Sequence, residues 1–178
     1  MNDINYSAAT LAILEALSKD PENSLYTREV AEKAGVSIGA ASMILRILEG
    51  SHLVDVEQKG GMKFYRINLL NPVAREFKVL FNVHRISALI EPLKEYADRI
   101  ILFGSLAEGS DGLESDVDLF ILTSQTRLVK DILRILQKKI DRHLSPIIES
   151  AEGLARLRRQ DKNLFDQIYR GKTLWERP

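Results

Sequence analysis

One short acidic motif contains the residues whose types and spacing could do chemistry. Asp116 and Asp118 are two residues apart at the start of an apolar run that ends near Leu122. Because side chains alternate along a strand with a period of two, both carboxylates are expected on one face, a few ångströms apart. Two carboxylates that close repel each other unless a cation lies between them, and Mg²⁺ prefers oxygen ligands. The pair therefore predicts a metal site.

A glycine-serine turn precedes the acidic pair. The apolar run over residues 100–103 stops at Gly104 and Ser105. Glycine lets the backbone turn tightly and approach a ligand, and Ser105 lies where free N–H groups at a helix start could receive an anion. Phosphate is the anion that this arrangement predicts. Mg²⁺ would bridge Asp116 and Asp118 to a nucleoside triphosphate whose outer phosphates the turn holds.

The spacing of these residues resembles the signature of a known family. Gly104-Ser105, ten residues and then Asp116-x-Asp118 are similar to the G-S-x10-D-x-D motif of the minimal nucleotidyltransferases, relatives of the polymerase-beta superfamily. The likeness continues to residues 168–175 and extends back into 71–82, which is similar to the linker helix of archaeal proteins that join a winged helix to this fold. The resemblance implies Mg²⁺-dependent transfer of AMP from ATP, or of another nucleoside monophosphate from its triphosphate, to an acceptor hydroxyl.

A full active site of this family uses a third carboxylate on a neighbouring strand. Residues 143–150 are the next strand candidate, and Ser145 occupies the position that resembles the family's acid. Glu149 lies on the same strand face but roughly 13 Å farther along, so it can be the third catalytic acid only if the register shifts. Asp141, just ahead of the strand, is the other candidate.

A second departure from the family pattern leaves another function open. Leu106 and Glu108 stand at positions of the turn helix that often carry basic residues in the family, so weaker phosphate binding is expected. Together with Ser145, they are compatible with a non-catalytic transcriptional regulator or antitoxin-like protein whose degenerate transferase domain senses a nucleotide. For an active enzyme, the resemblance implies two acceptors: a protein hydroxyl, as in antitoxins that modify HEPN-type ribonuclease toxins, or a small molecule.

Residues 1–70 predict a helix-rich domain closed by a hairpin. Three apolar-periodic segments, the second ended by Gly35, are followed by two strands joined across Gly60 and Gly61. This is the pattern of a winged helix-turn-helix, which places its third helix in the DNA major groove and its hairpin, the wing, along the phosphates. The predicted DNA contacts on the third helix and the wing are Ser42, Arg46, Lys59 and Lys63.

The charge of this domain is compatible with two kinds of partner. Residues 1–71 contain seven Lys and Arg against nine Asp and Glu, whereas DNA-binding domains are usually locally basic. One hypothesis is DNA binding as a homodimer that reads two half-sites, with Arg46 at a base edge and the wing lysines at phosphates. The other is a protein-interaction or dimerisation module that uses an apolar third helix.

The apolar spacing after residue 70 predicts a linker helix over 71–97, which Pro92 could kink or divide. Residues 98–178 then form the nucleotidyltransferase-like domain. The expected fold class is α/β (α+β): an N-terminal winged helix-turn-helix, followed by a mixed β-sheet with flanking helices.

Composition narrows the protein's class. A hydrophobic content of 45% in 178 residues is enough for two small cores. The absence of cysteine excludes a disulfide framework and thiolate metal sites, and 25 basic against 25 acidic residues argue against indiscriminate nucleic-acid binding. No stretch resembles a signal peptide or a membrane span, so the expected location is the cytoplasm, with no membrane partner.

Overall fold

The secondary structure changes character midway along the chain, from a helix-rich part to a sheet covered by helices. The computed structural model describes residues 4–178. It divides into two compact units, Met1–Lys78 and Val79–Pro178, and the boundary between the units falls inside a helix.

The described part of the N-terminal unit packs helices against a small antiparallel sheet. Ser7 begins the first helix because its hydroxyl accepts a hydrogen bond from the N–H of Thr10 at 3.2 Å, and Ser37 begins the third in the same way. Gly35 ends the second helix in the left-handed conformation, with φ at +66°. In chain order the elements are α1 (Ala8–Ser18), β1 (Leu25–Tyr26), α2 (Thr27–Ala34), α3 (Ile38–Gly50), β2 (Val54–Lys59) and β3 (Met62–Ile67).

The sheet of this unit has the strand order β1-β3-β2, with antiparallel neighbours. Lys59 pairs with Met62, so the hairpin turns at Gly60 and Gly61, as the sequence predicts. Two helices joined by a glycine turn and followed by this hairpin form a winged helix-turn-helix, which confirms this part of the expected fold class. The residues most deeply buried in its core include Ile13, Leu14, Leu17, Val30, Leu45, Leu48 and Ile67.

Helix α4 (Pro72–Leu89) contains the boundary between the two units. Its first residue is Pro72. Proline is favoured at the first position of a helix because the N–H that it lacks would have no helical hydrogen-bond partner there. The segment predicted as a linker helix over 71–97 is not one continuous helix: α4 stops at Leu89 and a short 3-10 turn follows at Glu91–Leu93, which is the division at Pro92 that the sequence left open. Pro92 explains the early stop, since proline cannot donate the backbone hydrogen bond and its ring clashes with the preceding turn.

The C-terminal unit is built around a mixed sheet. After the last part of α4, its elements are β4 (Arg99–Leu102), α5 (Gly104–Glu108), β5 (Val117–Leu122), α6 (Thr126–Gln137), β6 (Leu144–Glu149), α7 (Ala151–Gln160), α8 (Lys162–Tyr169) and β7 (Lys172–Glu176). The strand order is β6-β5-β4-β7, in which only β5 and β6 are parallel. The mixed sheet with flanking helices that the sequence predicts is confirmed.

The two faces of this sheet bury different apolar clusters. Along β5, Leu119 and Ile121 belong to one cluster, which includes residues of α4 and α6. Phe120 belongs to the other and packs with residues of α7 and α8. Because successive side chains of a strand point to opposite faces, Asp118 shares the face of Phe120, which α7 and α8 cover.

The helices in the described part of the chain are short or carry charges along one side. Among residues 4–178, none combines the length and the apolar character that crossing a membrane requires.

Candidate active site

The two carboxylates lie at the N-terminal end of β5. Asp116 directly precedes the strand and is exposed, whereas Asp118 is its second residue and is half-buried. Burial raises the pKa of Asp118 above its ordinary value, and the nearby charge of Asp116 raises it further. A hydrogen bond from the hydroxyl of Ser145 has the opposite, smaller effect on this pKa. The structure thus brings both carboxylates together, and their repulsion favours a bound cation.

Gly104 lies against the carboxylate of Asp118. Its φ of +68° is in the left-handed region that favours glycine, and a Cβ at this residue would be 2.2 Å from Oδ2 of Asp118. The N–H of Phe103 donates to the backbone carbonyl of Asp118 at 3.0 Å, which fixes the turn beside β5. Backbone conformation and space both require glycine here, and Ser105 follows it as the second residue of α5.

Two residues of the turn helix α5, Leu106 and Glu108, depart from the family pattern, and they lie in different surroundings. Leu106 is fully buried in the cluster beneath the sheet, so its position serves packing. Glu108 is exposed at the last residue of α5. Neither residue supplies a positive charge for a phosphate.

Strand β6 brings Ser145, rather than Glu149, next to the acidic pair. The parallel register pairs Asp118 with Ser145 and Leu122 with Glu149. Glu149 therefore lies at the other end of the strand, where Arg156 approaches its carboxylate at 3.8 Å. The register shift that Glu149 needs does not occur, and this corrects the expectation that Glu149 is the third acid.

The described residues provide no replacement for that acid in a preformed metal cluster. Asp141 is exposed in the segment that leads into β6. Within residues 4–178, no group of three or more Asp, Glu, His or Cys side chains is arranged to hold a metal ion. The donor set is the pair of carboxylates, which repel each other and consist of hard oxygen ligands. Such a pair fits Mg²⁺, an ion that keeps several waters and is commonly bound by one or two carboxylates plus substrate phosphates.

A buried ion pair that the sequence did not predict supports the loop between α5 and β5. The side chain of Asp111 is fully buried, and its Oδ2 is 3.0 Å from Nη2 of Arg142. Asn82 on α4 donates from Nδ2 to Oδ1 of Asp111 at 2.8 Å and to the carbonyl of Leu106 at 3.1 Å. Arg142 also donates to the carbonyl of Ser115 at 3.3 Å. These contacts hold both ends of the loop that leads into β5.

Of these residues, Asn82 alone had a usable signal in the sequence. It lies on the apolar stripe of the predicted linker helix, four residues before Ile86, and a polar residue on a buried stripe indicates a buried hydrogen bond. Asp111 and Arg142 lie in segments without periodicity, where the sequence does not distinguish a buried charge from a solvated one.

The predicted DNA contacts are all exposed and lie on α3 or the wing: Ser42, Arg46, Lys59 and Lys63. The two lysines have acidic neighbours. Nζ of Lys59 is 2.8 Å from Glu57, and Nζ of Lys63 is 2.9 Å from both carboxylate oxygens of Glu49. The positive charge of the wing is therefore partly neutralised within the N-terminal unit.

Residues 87–178, just over half of the chain, match the family described as "Polymerase beta, Nucleotidyltransferase". The chain belongs to this family. The matched region contains the glycine-serine turn, both carboxylates and all strands of the mixed sheet.

A curated relative matches a smaller part of the sequence. Over 62 residues the chain is 44% identical to "Putative protein adenylyltransferase MJ0141" of Methanocaldococcus jannaschii. The match covers 32% of this chain and 63% of the relative. The chain thus spans less than two thirds of the length of that relative.

Distant matches among solved structures include AF1382 from Archaeoglobus fulgidus, at 20% identity and a TM-score of 0.39, covering 44% of this chain and 90% of that one. Another is a homodimeric winged helix-turn-helix DNA-binding domain, Mb0332 from Mycobacterium bovis, at 25% identity and a TM-score of 0.35, covering 49% and 74%. A third is Lactococcus lactis ZitR in complex with DNA, at 15% identity and a TM-score of 0.40, covering 78% and 77%. Likenesses this distant establish neither the fold nor the function of this chain. The winged helix is assigned from the helices and the strand pairing described above.

Proposed function

We propose that this protein is a Mg²⁺-dependent nucleotidyltransferase that transfers AMP from ATP to an acceptor hydroxyl. The observation that carries the proposal is the juxtaposition of Asp116, Asp118 and Gly104 within a domain of the polymerase-beta nucleotidyltransferase family. In this reaction the acceptor oxygen forms a bond to the α-phosphorus, the bond from that phosphorus to the bridging oxygen breaks, and pyrophosphate leaves.

Each residue of the site has a part in the proposal. Asp116 and Asp118 would hold Mg²⁺, which supplies positive charge to offset the charge that develops on the phosphates. Gly104 puts no side chain between the turn and Asp118, so phosphates can approach the backbone closely. Ser105 would bind the outer phosphates through its N–H and hydroxyl groups. The fixed loop behind Asp116 keeps the two carboxylates in place before the nucleotide arrives.

AMP and a protein acceptor are the finer parts of the proposal. They are favoured by the name of the M. jannaschii relative, a protein adenylyltransferase. A hydroxyl on a small molecule remains the alternative acceptor. Because Ser145 replaces a carboxylate that would accept the acceptor's proton, we expect slow turnover.

A nucleotide sensor without catalysis is the second candidate function, and the position of Ser145 favours it. With Ser145 opposite Asp118 and no preformed group of three metal-binding side chains among the described residues, the site would bind Mg²⁺ and a nucleotide without a positioned base to activate an acceptor. The protein would then act as a transcriptional regulator or antitoxin-like protein that binds ATP without consuming it.

In either case we propose that the N-terminal unit binds DNA as a homodimer. Ser42 and Arg46 are exposed on α3, the helix that enters the major groove in this fold, and the wing presents Lys59 and Lys63. The ion pairs of both lysines with glutamates predict modest affinity. An interaction module for another protein is the alternative.

The test combines a binding measurement with a turnover measurement. Calorimetric titration of ATP with and without Mg²⁺, on the wild type and the Asp116→Asn/Asp118→Asn variant, measures the site. Release of AMP and pyrophosphate from ATP measures transfer to water and needs no added acceptor. Metal-dependent binding with turnover supports the transferase, and metal-dependent binding with turnover no faster than without protein supports the sensor. Equal binding by both proteins would falsify the two functions together.

A further inference from the structure

A groove between α6 and the open edge of the mixed sheet lies apart from the acidic pair. Strand β6 is the edge strand, and the groove of about 640 Å³ runs between it and α6. Its floor consists of the β6 side chains that point toward α6, namely Leu144, Pro146 and Ile148. Its wall consists of cationic side chains at four-residue spacing, namely Lys130, Arg134 and Lys138.

Hydrogen bonds fix one end of the groove. The side chain of Gln137 donates to the carbonyl of Arg142 at 2.9 Å and accepts from the N–H of Leu144 at 2.8 Å. These two hydrogen bonds tie the end of α6 to the start of β6 and close the groove at that end. Fixing this end in advance reduces the conformational entropy that the groove loses when a partner binds.

The charges along the groove have one sign. Among the described residues, none that lines the groove is acidic. The acid near the wall is Asp131, which pairs with Arg134 at 3.1 Å, but both side chains are more than half exposed, so this pair is weak. The groove therefore complements a partner that is acidic on one side and apolar on the other.

The edge of β6 is unsuited to an added strand. The N–H groups of Val117 and Thr123 donate to the carbonyls of His143 and Glu149, so the odd-numbered residues of β6 turn their backbone groups toward β5. The even-numbered residues turn theirs outward. Pro146 is one of these and has no N–H, so a strand added here would lose a hydrogen bond in the middle of its ladder.

A helix fits the dimensions better. The 12 residues of α6 span about 18 Å, which is three to four turns of a partner helix. Carboxylates spaced four residues apart on that helix would match Lys130, Arg134 and Lys138, and its apolar stripe would cover the floor. Single-stranded nucleic acid fits less well, because within residues 4–178 no aromatic ring on which a base could stack lines the groove.

A second copy of this chain is not the complementary partner. Within residues 4–178, no helix carries more than two acidic residues, and the two in α2 accompany Arg28 and Lys33. We infer that the groove between α6 and β6 is a docking site for an acidic amphipathic helix of a different protein.

The test uses a defined probe with the full-length protein. The probe is a dye-labelled peptide of about 14 residues, stapled on its outer face because short isolated helices are marginal in water. It carries three Glu at four-residue intervals beside a leucine stripe, and fluorescence anisotropy measures its affinity. We expect Lys130→Glu/Arg134→Glu/Lys138→Glu to weaken binding by roughly tenfold or more. A peptide with Lys in place of Glu should bind the triple variant more tightly than the wild type.

A matched variant controls for overall charge. Arg127→Glu/Lys162→Glu/Arg170→Glu changes the net charge equally at exposed positions outside the groove, and it should bind the probe like the wild type. Equal weakening in both triple variants, or no binding to the wild type, overturns the proposal. Tighter binding of an extended valine-threonine peptide, strengthened by Pro146→Val, would establish strand addition instead. Displacement of the probe by a single-stranded oligonucleotide would establish a nucleic-acid site.

Discussion

Ser145 stands opposite Asp118 in the parallel ladder, and its hydroxyl lowers the pKa of the Asp118 carboxylate, against the larger rise that burial causes. This contact favours the charged form of Asp118 against burial and against the repulsion from Asp116. It adds no negative charge, however, and a serine has no carboxylate with which to accept a proton from an acceptor. Under the proposed function, the Ser145–Asp118 pair is the feature that distinguishes a working transferase from a nucleotide sensor.

Ser145→Asp tests this relationship. The substitution supplies a carboxylate beside Asp118, and we expect AMP release with Mg²⁺ to rise by roughly a hundredfold, the low end of what a positioned general base contributes. Ser145→Ala is the control, because it removes the hydrogen bond without adding an acid, and it should not increase turnover. If Ser145→Asp binds Mg²⁺ and ATP but turns over no faster than the wild type, the third-acid argument is wrong.

Gly104→Ala should damage both the site and the fold. The left-handed backbone costs a residue with a Cβ about 1–2 kcal/mol, and that Cβ would also collide with Oδ2 of Asp118. We expect a lower free energy of unfolding in urea and loss of Mg²⁺-dependent ATP binding. Gly39→Ala is the matched control. Gly39 is exposed on α3 with no atom near its added methyl group, so this change should stabilise α3 by up to about 1 kcal/mol. Equal effects of both changes would contradict the role of Gly104.

Asp118→Asn should stabilise the metal-free protein at neutral pH. The pKa of Asp118 is raised in the folded state, so its ionised form costs stability above the folded pKa, and this cost disappears as the pH falls below the unfolded value of about 4. Thermal unfolding should give a higher Tm for the variant near pH 7 and equal values near pH 3. Mg²⁺ should raise the Tm of the wild type alone. If the variant has a lower Tm than the wild type at pH 7, the charge of Asp118 is not disfavoured in the folded protein.

Asp111→Ala should destabilise the C-terminal unit by about 3 kcal/mol, because it leaves Arg142 without its buried partner. Urea unfolding measures this loss of stability. ATP titration measures the weaker nucleotide binding that we expect when the loop before Asp116 is less ordered. Asp141→Ala is the comparison, because Asp141 is exposed and its removal should change stability by less than about 0.5 kcal/mol. If Asp141→Ala abolishes turnover at unchanged stability, Asp141 is the third acid.

Glu49→Gln should strengthen binding to duplex DNA. The hydrogen bond to Glu49 raises the pKa of Lys63 and occupies its ammonium group, so the substitution frees this charge for a phosphate. We expect a severalfold higher affinity and a steeper salt dependence, by about one released counterion, in anisotropy titrations. Glu22→Gln makes the same charge change at an exposed position and should have a smaller effect. Absence of DNA binding by all three proteins at low salt would favour the protein-interaction module.

Local patterns were sufficient where the physical cause is local. The two-residue spacing that brings Asp116 and Asp118 together at the start of β5 is local to that segment, and the tight turn at Gly104 follows from its residue type. The helix-turn-helix and its hairpin were predictable for the same reason, since Ser7 and Ser37 cap helices and Gly35 ends one within a few residues of themselves. The spacing of the family motif reflects these local preferences.

Tertiary structure decided what depends on two distant segments meeting. The sequence alone determined that a carboxylate pair would lie at the start of a strand beside a glycine turn, but the register between β5 and β6 decided that Ser145 rather than Glu149 stands beside Asp118. Packing likewise decided that Asp111 is buried against Arg142, 31 positions later in the chain. A one-residue slip of register or a different loop path leaves the local pattern unchanged, so only the folded sheet selects among them.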